Sequence, residues 1–509
     1  MDHINTNLDD EYLVSGVLNY PLTDHLPVFI SLRTSRNEND QTDQEQGETF
    51  WRVYDDRKKD NFLDILEKRL KSIDLSRHPN ELLEKLTEST RFAIEACFPN
   101  RKMSKRAKKR SLTPWFDTEI FVDEKTQRRL FRRFTKSNKE DDFKAYKIFR
   151  NKLSRKKYRA KRTYFLNLLN DAKNEGDKSA TWDIINRVYG KKKKSRIFPE
   201  FFKLNDNAEP PNLTYHPKDI ANGLNDHFTS IAKNLADSLP KTNVNFSSFL
   251  GPENKNSIFL RDIEIDEIYE EICPRKAAGY DEIPPKIIKW APHLFAPILK
   301  EIFNKFIESG YYPDAMKIAK VAPIYKKGDK NNVSNYRPIS VLTQFNQLFE
   351  RLLSKRFLSF FEKFNIITKK QFGFLKKHCT EHAILDLKEY IISRLENNEA
   401  MAVLFLDLQK AFDTVSHDIL LKKLYHYGIR GRAYHLLSSY LTGRKQFTKV
   451  GNFLSILALT LWGVPLGSVI GPHLFLIFIN DLPNASKLLA WLFADDTALA
   501  MPSKTLKDT

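Results

Sequence analysis

Cysteine is nearly absent: Cys97, Cys273 and Cys379 are all that the 509 residues carry. So sparse and odd-numbered a set excludes a disulfide framework and a zinc knuckle, and predicts a reduced, intracellular chain. A secretory leader is missing too, since MDHINTNLDDEYLV has neither a basic start nor an apolar run. No internal repeat is detectable. The one stretch long enough to cross a bilayer, Leu454 to Ile479, holds no Asp, Glu, Lys or Arg. Gly463, Pro465, Gly467, Gly471 and Pro472 interrupt it, and breaks of that kind leave backbone groups unpaired in lipid. The stretch therefore predicts a buried strand, a Gly-rich turn and a buried helix, with no membrane partner.

What the chain does have is apolar mass and positive charge. Hydrophobic residues make up 41%, among them 37 Phe, which excludes wholesale disorder and allows a large core. At about 100–200 residues per domain, the length fits two to four domains, or one large enzyme core with appendages. The 83 Lys and Arg exceed the 64 Asp and Glu by 19. Residues 101–200 hold 32 basic and 12 acidic side chains, a net of +20, and the rest of the chain nets −1. The excess is concentrated in RKMSKRAKKR (Arg101 to Arg110), FRNKLSRKKYRAKR (Phe149 to Arg162) and KKKKSR (Lys191 to Arg196). Apolar residues recur there at helical steps, and aromatics such as Phe131, Tyr146, Tyr158 and Phe165 alternate with the bases. Lys and Arg neutralise phosphates, so this segment predicts nucleic-acid binding; a nuclear-import signal has the same composition. The aromatics read first as helix-packing residues and second as a base-stacking surface.

Along the chain, VFISL (Val28 to Leu32) is strand-like and residues 33–50 form a polar linker. Amphipathic helical patterns run from about 56 to 98, with Phe62, Ile65, Leu66 and Leu70 on one face. Prolines 199, 210, 211 and 217 punctuate a connector. Beyond it, strand-like KIAKVAPIYKK, MAVLFLDL and KLLAWLF-ADD-TALAM alternate with helical patterns at 380–396, 417–427 and 431–441, as in an α/β or α+β domain.

Two acidic positions stand at the ends of apolar strands: Asp407 after VLFL, and the pair Asp495-Asp496 in the turn between two short apolar runs. Taken singly, each is an acid that opens a loop. Side by side on neighbouring strands, such carboxylates repel one another and call for hard divalent cations, which suits phosphoryl transfer.

The strings VLFLDLQKAFDTVSHDILLKKL, GVPLGSVIGPHLFLIFINDLP and LFADDTALA, in this order, resemble the palm motifs of reverse transcriptases. KVAPIYKKGDKNNVSNYRPISVLTQFNQLFERLL resembles the preceding fingers segment. KAAGYDEIPPKIIK and QFGFLKKHCTEHAI are similar to connecting segments of jockey-type non-LTR retrotransposon polymerases. AYKIFRNKLSRKKYRAKRTYF and TWDIINRVYGKKKK resemble the stretch between endonuclease and polymerase in that family, and SGVLNYPLTDHLPVFISL resembles the last strands of its apurinic-type endonuclease.

The resemblance implies an α+β right-hand polymerase with fingers and a partial palm, preceded by a basic, mostly helical region, with the thumb absent. It implies an endonuclease remnant at 1–33 carrying Asp24 and His25, a linker at 34–50, a basic helical nucleic-acid-binding stretch at 51–200, a connector at 201–255, and the polymerase at 256–509. Asp407, Asp495 and Asp496 would be the catalytic metal ligands for two Mg²⁺ ions, with Mn²⁺ as a substitute. Arg337 and Lys327 would grip the incoming triphosphate, and Phe412 would exclude a ribose 2′-hydroxyl. Gly463 and Gly467 would let backbone approach the nascent base pair. Substrates and partners would be template RNA, a DNA primer and deoxynucleotides, in a nuclear or cytoplasmic ribonucleoprotein. The pattern departs at Leu466, where the family carries glutamine, a residue whose hydrogen bonds leucine cannot make; Trp462 and Leu375 also depart from it. With those departures, a non-enzymatic RNA-binding or scaffold protein is the rival reading. A group II intron-type maturase fits less well, because of the endonuclease-like start.

Overall fold

In the computed structural model the described residues are 13–17, 28–32, 50–52, 54–102, 113–174, 178–189, 198–199, 201–204, 213–240, 244–272 and 278–503. They fall into two compact units, one drawn from Met1–Arg52 and Asn100–Ile185, the other from Val53–Pro99 and Asn186–Thr509.

The larger unit begins with α1 (Lys59–Lys71) and α2 (Pro79–Cys97). Phe62, Leu66 and Leu70 recur at four-residue steps and are buried, as that spacing predicts, and Leu82, Leu86, Ala93 and Ile94 of α2 join them in one continuous core. This packing divides the stretch that the sequence groups as a basic helical linker at 51–200. Its first half is apolar on one face and completes the larger unit's core.

In the smaller unit, α3 (Thr118–Ser137) and α4 (Glu140–Asn174) form an antiparallel hairpin. Asp117 caps α3, its Oδ1 accepting from the Ile120 N–H at 2.7 Å, and Asn138 ends it in the left-handed region (φ 52°). Phe131 and Tyr146 meet at 5.2 Å and Phe134 and Phe143 at 4.9 Å between ring centroids, so these aromatics pack the hairpin as expected. The predicted VFISL strand is Val28–Leu32, antiparallel to Leu13–Val17. Asp24 and His25 lie outside the described residues, as do Cys273 and most of the 101–110 and 191–196 basic clusters.

The rest of the larger unit is mixed helix and sheet. Strands β1 (Ile318–Tyr325) and β2 (Tyr336–Val341) pair antiparallel, and β1 pairs in parallel with β3 (Lys445–Val450), which comes later in the chain. The helix Pro217–Ser238 covers this sheet through Ile220, Leu224 and Phe228, which pack with Val321 and Tyr336. A second sheet is wholly antiparallel, in the order Leu489–Phe493, Asp496–Ser503, Ala400–Asp407. The helices Gln344–Lys363, Pro292–Ser309 and Gly471–Ile479 supply much of the main hydrophobic core. The other predicted helices appear at Thr380–Glu396, His417–His426 and Gly431–Leu441.

One expectation is corrected. No described helix is long and apolar enough to cross a membrane, and the helix Gly471–Ile479 is buried as predicted. The start of the uncharged stretch is not. Leu454, Ile456, Leu457, Leu459 and Leu461 are exposed. Only two-residue strands pair with β3 here. The Ile456 backbone is tied instead to side-chain amides of a helix, its N–H donating to Asn222 Oδ1 at 2.9 Å and its carbonyl accepting from Asn225 Nδ2 at 3.1 Å. Hydrogen bonding, not burial, holds the segment.

Candidate active site

The second sheet ends in a two-residue turn. Phe493 pairs with Asp496, and Ala494 between them has φ 58°, the left-handed conformation that a tight hairpin requires. Asp496 sits directly opposite Asp407 in the antiparallel register, so the acids that lie 89 positions apart in sequence arrive at one end of one sheet. Buried Gln371 secures the turn. Its Oε1 accepts from the Ala494 N–H at 2.9 Å and from the Gly373 N–H at 2.7 Å. Gly373 has no room for a side chain, since a Cβ there would lie 2.3 Å from the Ala494 nitrogen.

A pocket of about 570 Å³ opens beside this turn. Asp407 and Asp495 line it together with Lys326, Lys327, Arg337, Lys410, Phe412, Asp413 and Leu466. The predicted acids thus divide. Asp407 and Asp495 face the basic pocket, whereas exposed Asp496 lines an adjoining groove with Phe405 and Ile384. Asp407 borders both.

The electrostatics follow from this crowding. Burial raises the Asp495 carboxyl above the usual carboxylate range, and the negative charges of Asp496 and Asp407 push the same way; Arg337 opposes them. Asp413 is pushed up to about 6 by burial, with Lys410 and Arg337 pulling it back. The Lys410 ammonium donates to the Ser334 and Tyr336 carbonyls at 3.3 and 3.2 Å, and burial lowers its pKa. Arg337 and Lys327 are exposed and line the same pocket. The Phe412 ring stacks on Phe475, with centroids 4.6 Å apart and planes 19° from parallel. It is a partly buried wall of the pocket held by the core behind it.

The two predicted glycines have another duty. A Cβ at Gly463 (φ 79°) would lie 2.7 Å from the Asp413 carbonyl oxygen, and one at Gly467 (φ 118°) 2.5 Å from that of Ser340. The close approach they permit is to the protein's own backbone, which accounts for glycine at both positions. The Gly463 N–H donates to the Val415 carbonyl at 2.8 Å, and half-buried His417 donates from Nε2 to the Gly463 carbonyl at 2.7 Å. The Ser340 N–H donates to the Leu466 carbonyl at 2.7 Å. This turn therefore forms one side of the pocket and presents the Leu466 side chain to it.

Gln371, Gly373, Lys410 and Asp413 escaped the sequence reading. Gln371 and Gly373 lie in the QFGF string and Lys410 and Asp413 beside Phe412, so the motifs contained them, but nothing in their spacing announced a role.

Residues 324–507 match the family described as reverse transcriptase (RNA-dependent DNA polymerase). The same stretch is similar to the polymerases of jockey-type mobile elements. Among its relatives, the probable RNA-directed DNA polymerase from transposon BS of Drosophila melanogaster is 32% identical over 265 residues, 48% of this chain and 28% of the relative. The RNA-directed DNA polymerase from mobile element jockey of Drosophila melanogaster is 32% identical over 252 residues, 48% of this chain and 27% of the relative. The retrovirus-related Pol polyprotein from type-1 retrotransposable element R2 of Popillia japonica is 30% identical over 174 residues, 34% of this chain and 24% of the relative. The chain thus spans little more than a quarter of the length of the first two. The matched family is described as an RNA-dependent DNA polymerase, and reverse transcriptases generally use divalent metals.

The pocket in this matched stretch suits such an ion by its chemistry. Asp407 and Asp495 offer hard oxygen donors, and their charges already act on one another. Among the described residues no three His, Cys, Asp or Glu side chains converge as a ready-made cage. Mg²⁺ does not need one, because it binds through one or two carboxylates and completes its shell with water and substrate phosphates.

Proposed function

We propose that this chain adds deoxynucleotides to a DNA 3′-hydroxyl on an RNA template, with 256–503 forming fingers and part of a palm. The observation that carries the reading is the pocket itself. Two carboxylates, Asp407 and Asp495, and three cations, Arg337, Lys326 and Lys327, line one cavity together with the Phe412 ring. A nucleoside triphosphate has the matching polarity. Arg337 offers a planar fork to phosphate oxygens, with the two lysines as point charges beside it. Phe412, backed by Phe475, gives a rigid surface where a sugar would lie, which fits a ring that rejects a 2′-hydroxyl. Asp407 and Asp495 would hold Mg²⁺, with Asp496 supporting the charge from the neighbouring groove. When bound, the metal lowers the cost of the developing negative charge at the reacting phosphate. The protein's part is then positioning and charge, without a covalent intermediate.

Primer extension by the purified chain on an RNA template with a DNA primer tests this. Asp407→Asn and Asp495→Asn should each abolish extension while leaving RNA binding intact. Phe412→Ala should admit ribonucleotides. The pocket-lining Leu466 favours a second reading, an RNA-binding protein without catalysis. Salt-sensitive RNA binding with no extension by the unaltered chain would establish that reading and sink the first.

A further inference from the structure

The charges of the α3–α4 hairpin are not equivalent. Lys156 of α4 is 2.8 Å from Asp123 and 2.9 Å from Glu119, and Lys157 is 2.8 Å from Glu124. Those cations are answered within the hairpin, and the Lys156 ammonium is correspondingly held above its usual pKa by hydrogen bonds to Asp123 and Glu119. Lys152, Arg155, Arg159 and Arg162 are exposed. Among the described residues none of the four has a carboxylate partner, while Lys156 and Lys157 do. On a helix of 3.6 residues per turn, positions 152, 155, 159 and 162 follow one stripe, and at 1.5 Å per residue it runs about 15 Å.

The aromatics divide in the same way. Tyr146 and Phe165 are buried, at 8% and 6% exposure, whereas Tyr158 is 67% exposed. Tyr158 lies three residues after Arg155 and four before Arg162, so its ring shares a surface patch with both guanidinium groups. A shallow groove of about 780 Å³ runs beside the stripe, bordered by Asn151, Lys152, Arg155, Arg159 and Thr163.

We infer that this face of α4 is a platform for single-stranded nucleic acid, with Tyr158 stacking a base while Arg155, Arg159 and Arg162 hold successive phosphates. The inference rests on the reading that the basic region binds nucleic acid, and it names the residues and the strand state. A cation stripe alone would serve a duplex or an anionic membrane equally well. The exposed ring decides the matter, because a base can stack on a side chain only when it is free of its own duplex stack.

The test uses the full chain and fluorescence anisotropy across a salt series, with an unstructured RNA strand, the same DNA strand, their duplex forms and vesicles of anionic lipid. Tighter binding of the single strands than of duplex or vesicle supports the platform, and the RNA and DNA arms report which sugar it prefers. Tyr158→Ala should weaken single-strand binding about five- to 150-fold with the salt slope unchanged, and Tyr158→Trp should restore it. The triple change Arg155→Gln, Arg159→Gln, Arg162→Gln should reduce the slope by about 2. Lys156→Gln should leave it near that of the unaltered chain. Circular dichroism shows whether each variant keeps its helices. Tyr158→Ala binding like the unaltered chain, or duplex or vesicle binding more tightly than a single strand, overturns the platform. If the unaltered chain binds no nucleic acid at low salt, the reading beneath it falls instead.

Discussion

Asp413 lies at the pocket wall with a carboxyl whose pKa is raised to about 6, burial being the main cause. The folded chain therefore keeps a proton that the unfolded chain releases near pH 4. Between those values the native state binds more protons, so stability falls as pH rises, and the full penalty is present at neutral pH. Asp413→Asn removes the ionisation. It should stabilise the protein by about 1–3 kcal/mol at pH 8, with the gain shrinking as pH is lowered toward 4. Urea unfolding of both proteins across that range measures this, and a gain independent of pH would refute it. The same residue shows what the sequence could and could not convey. Asp407 and Asp495 could be singled out only as a set, since an acid alone at the end of an apolar strand reads as the start of a loop. Asp413 looks ordinary in its string, and its raised pKa comes from burial, which only the fold produces, opposed by Lys410 and Arg337. Gln371 is similar: its amide matters because Ala494, 123 positions away, comes to rest against it.

Among the elements, the helix Gln344–Lys363 ties the pocket's turn to the core. Its Glu350 is fully buried; Oε2 accepts from the Val469 N–H at 2.5 Å, and Oε1 accepts from the Tyr440 hydroxyl at 3.2 Å and from Asn346 Nδ2 at 3.3 Å. Tyr312 joins through Asn346. Burial raises the Glu350 carboxyl's pKa, while these donors and Arg444 favour its charge. Val469 follows Ser468 in the turn begun by Gly463, so the network holds the segment that carries Leu466. Glu350→Ala would strand these buried donors and should cost at least about 3 kcal/mol. A loss below about 1 kcal/mol in thermal or chemical unfolding would show that the network is dispensable. Helix and strand periodicity announced most of the elements in this unit, because their apolar spacing and their burial agree. It misled at Leu454–Leu461, where an apolar run is bound by the amides of Asn222 and Asn225 and left at the surface. Hydropathy registers side chains, and in that segment the backbone decides.

At the scale of the whole molecule, charge and chemistry occupy different parts of the chain. The segment 101–200 carries a net of +20 and the remainder −1. Yet within the stretch that matches reverse transcriptases acids and bases are gathered locally, with Asp407, Asp495, Arg337 and Lys327 lining one pocket. A pocket of that kind needs no net charge, because it holds both signs of charge itself. On the proposed reading the basic segment acts on nucleic acid as a whole, through counterion release that ignores sequence. The two contributions should therefore separate in experiment. Neutralising the basic residues of Arg101 to Arg110 with glutamine should weaken RNA binding by a similar factor for every sequence. The slope of log affinity against log salt should fall by about 0.7 for each phosphate contact removed. Extension at saturating template and primer, where binding no longer limits the rate, should stay within about twofold of the unaltered chain. The converse change, Asp495→Asn, should leave the salt slope alone and remove extension. If the charge-neutralised chain binds RNA with an unchanged slope, the excess charge serves something other than phosphate. If its extension collapses even at saturation, the basic segment takes part in the reaction itself and the two contributions are one.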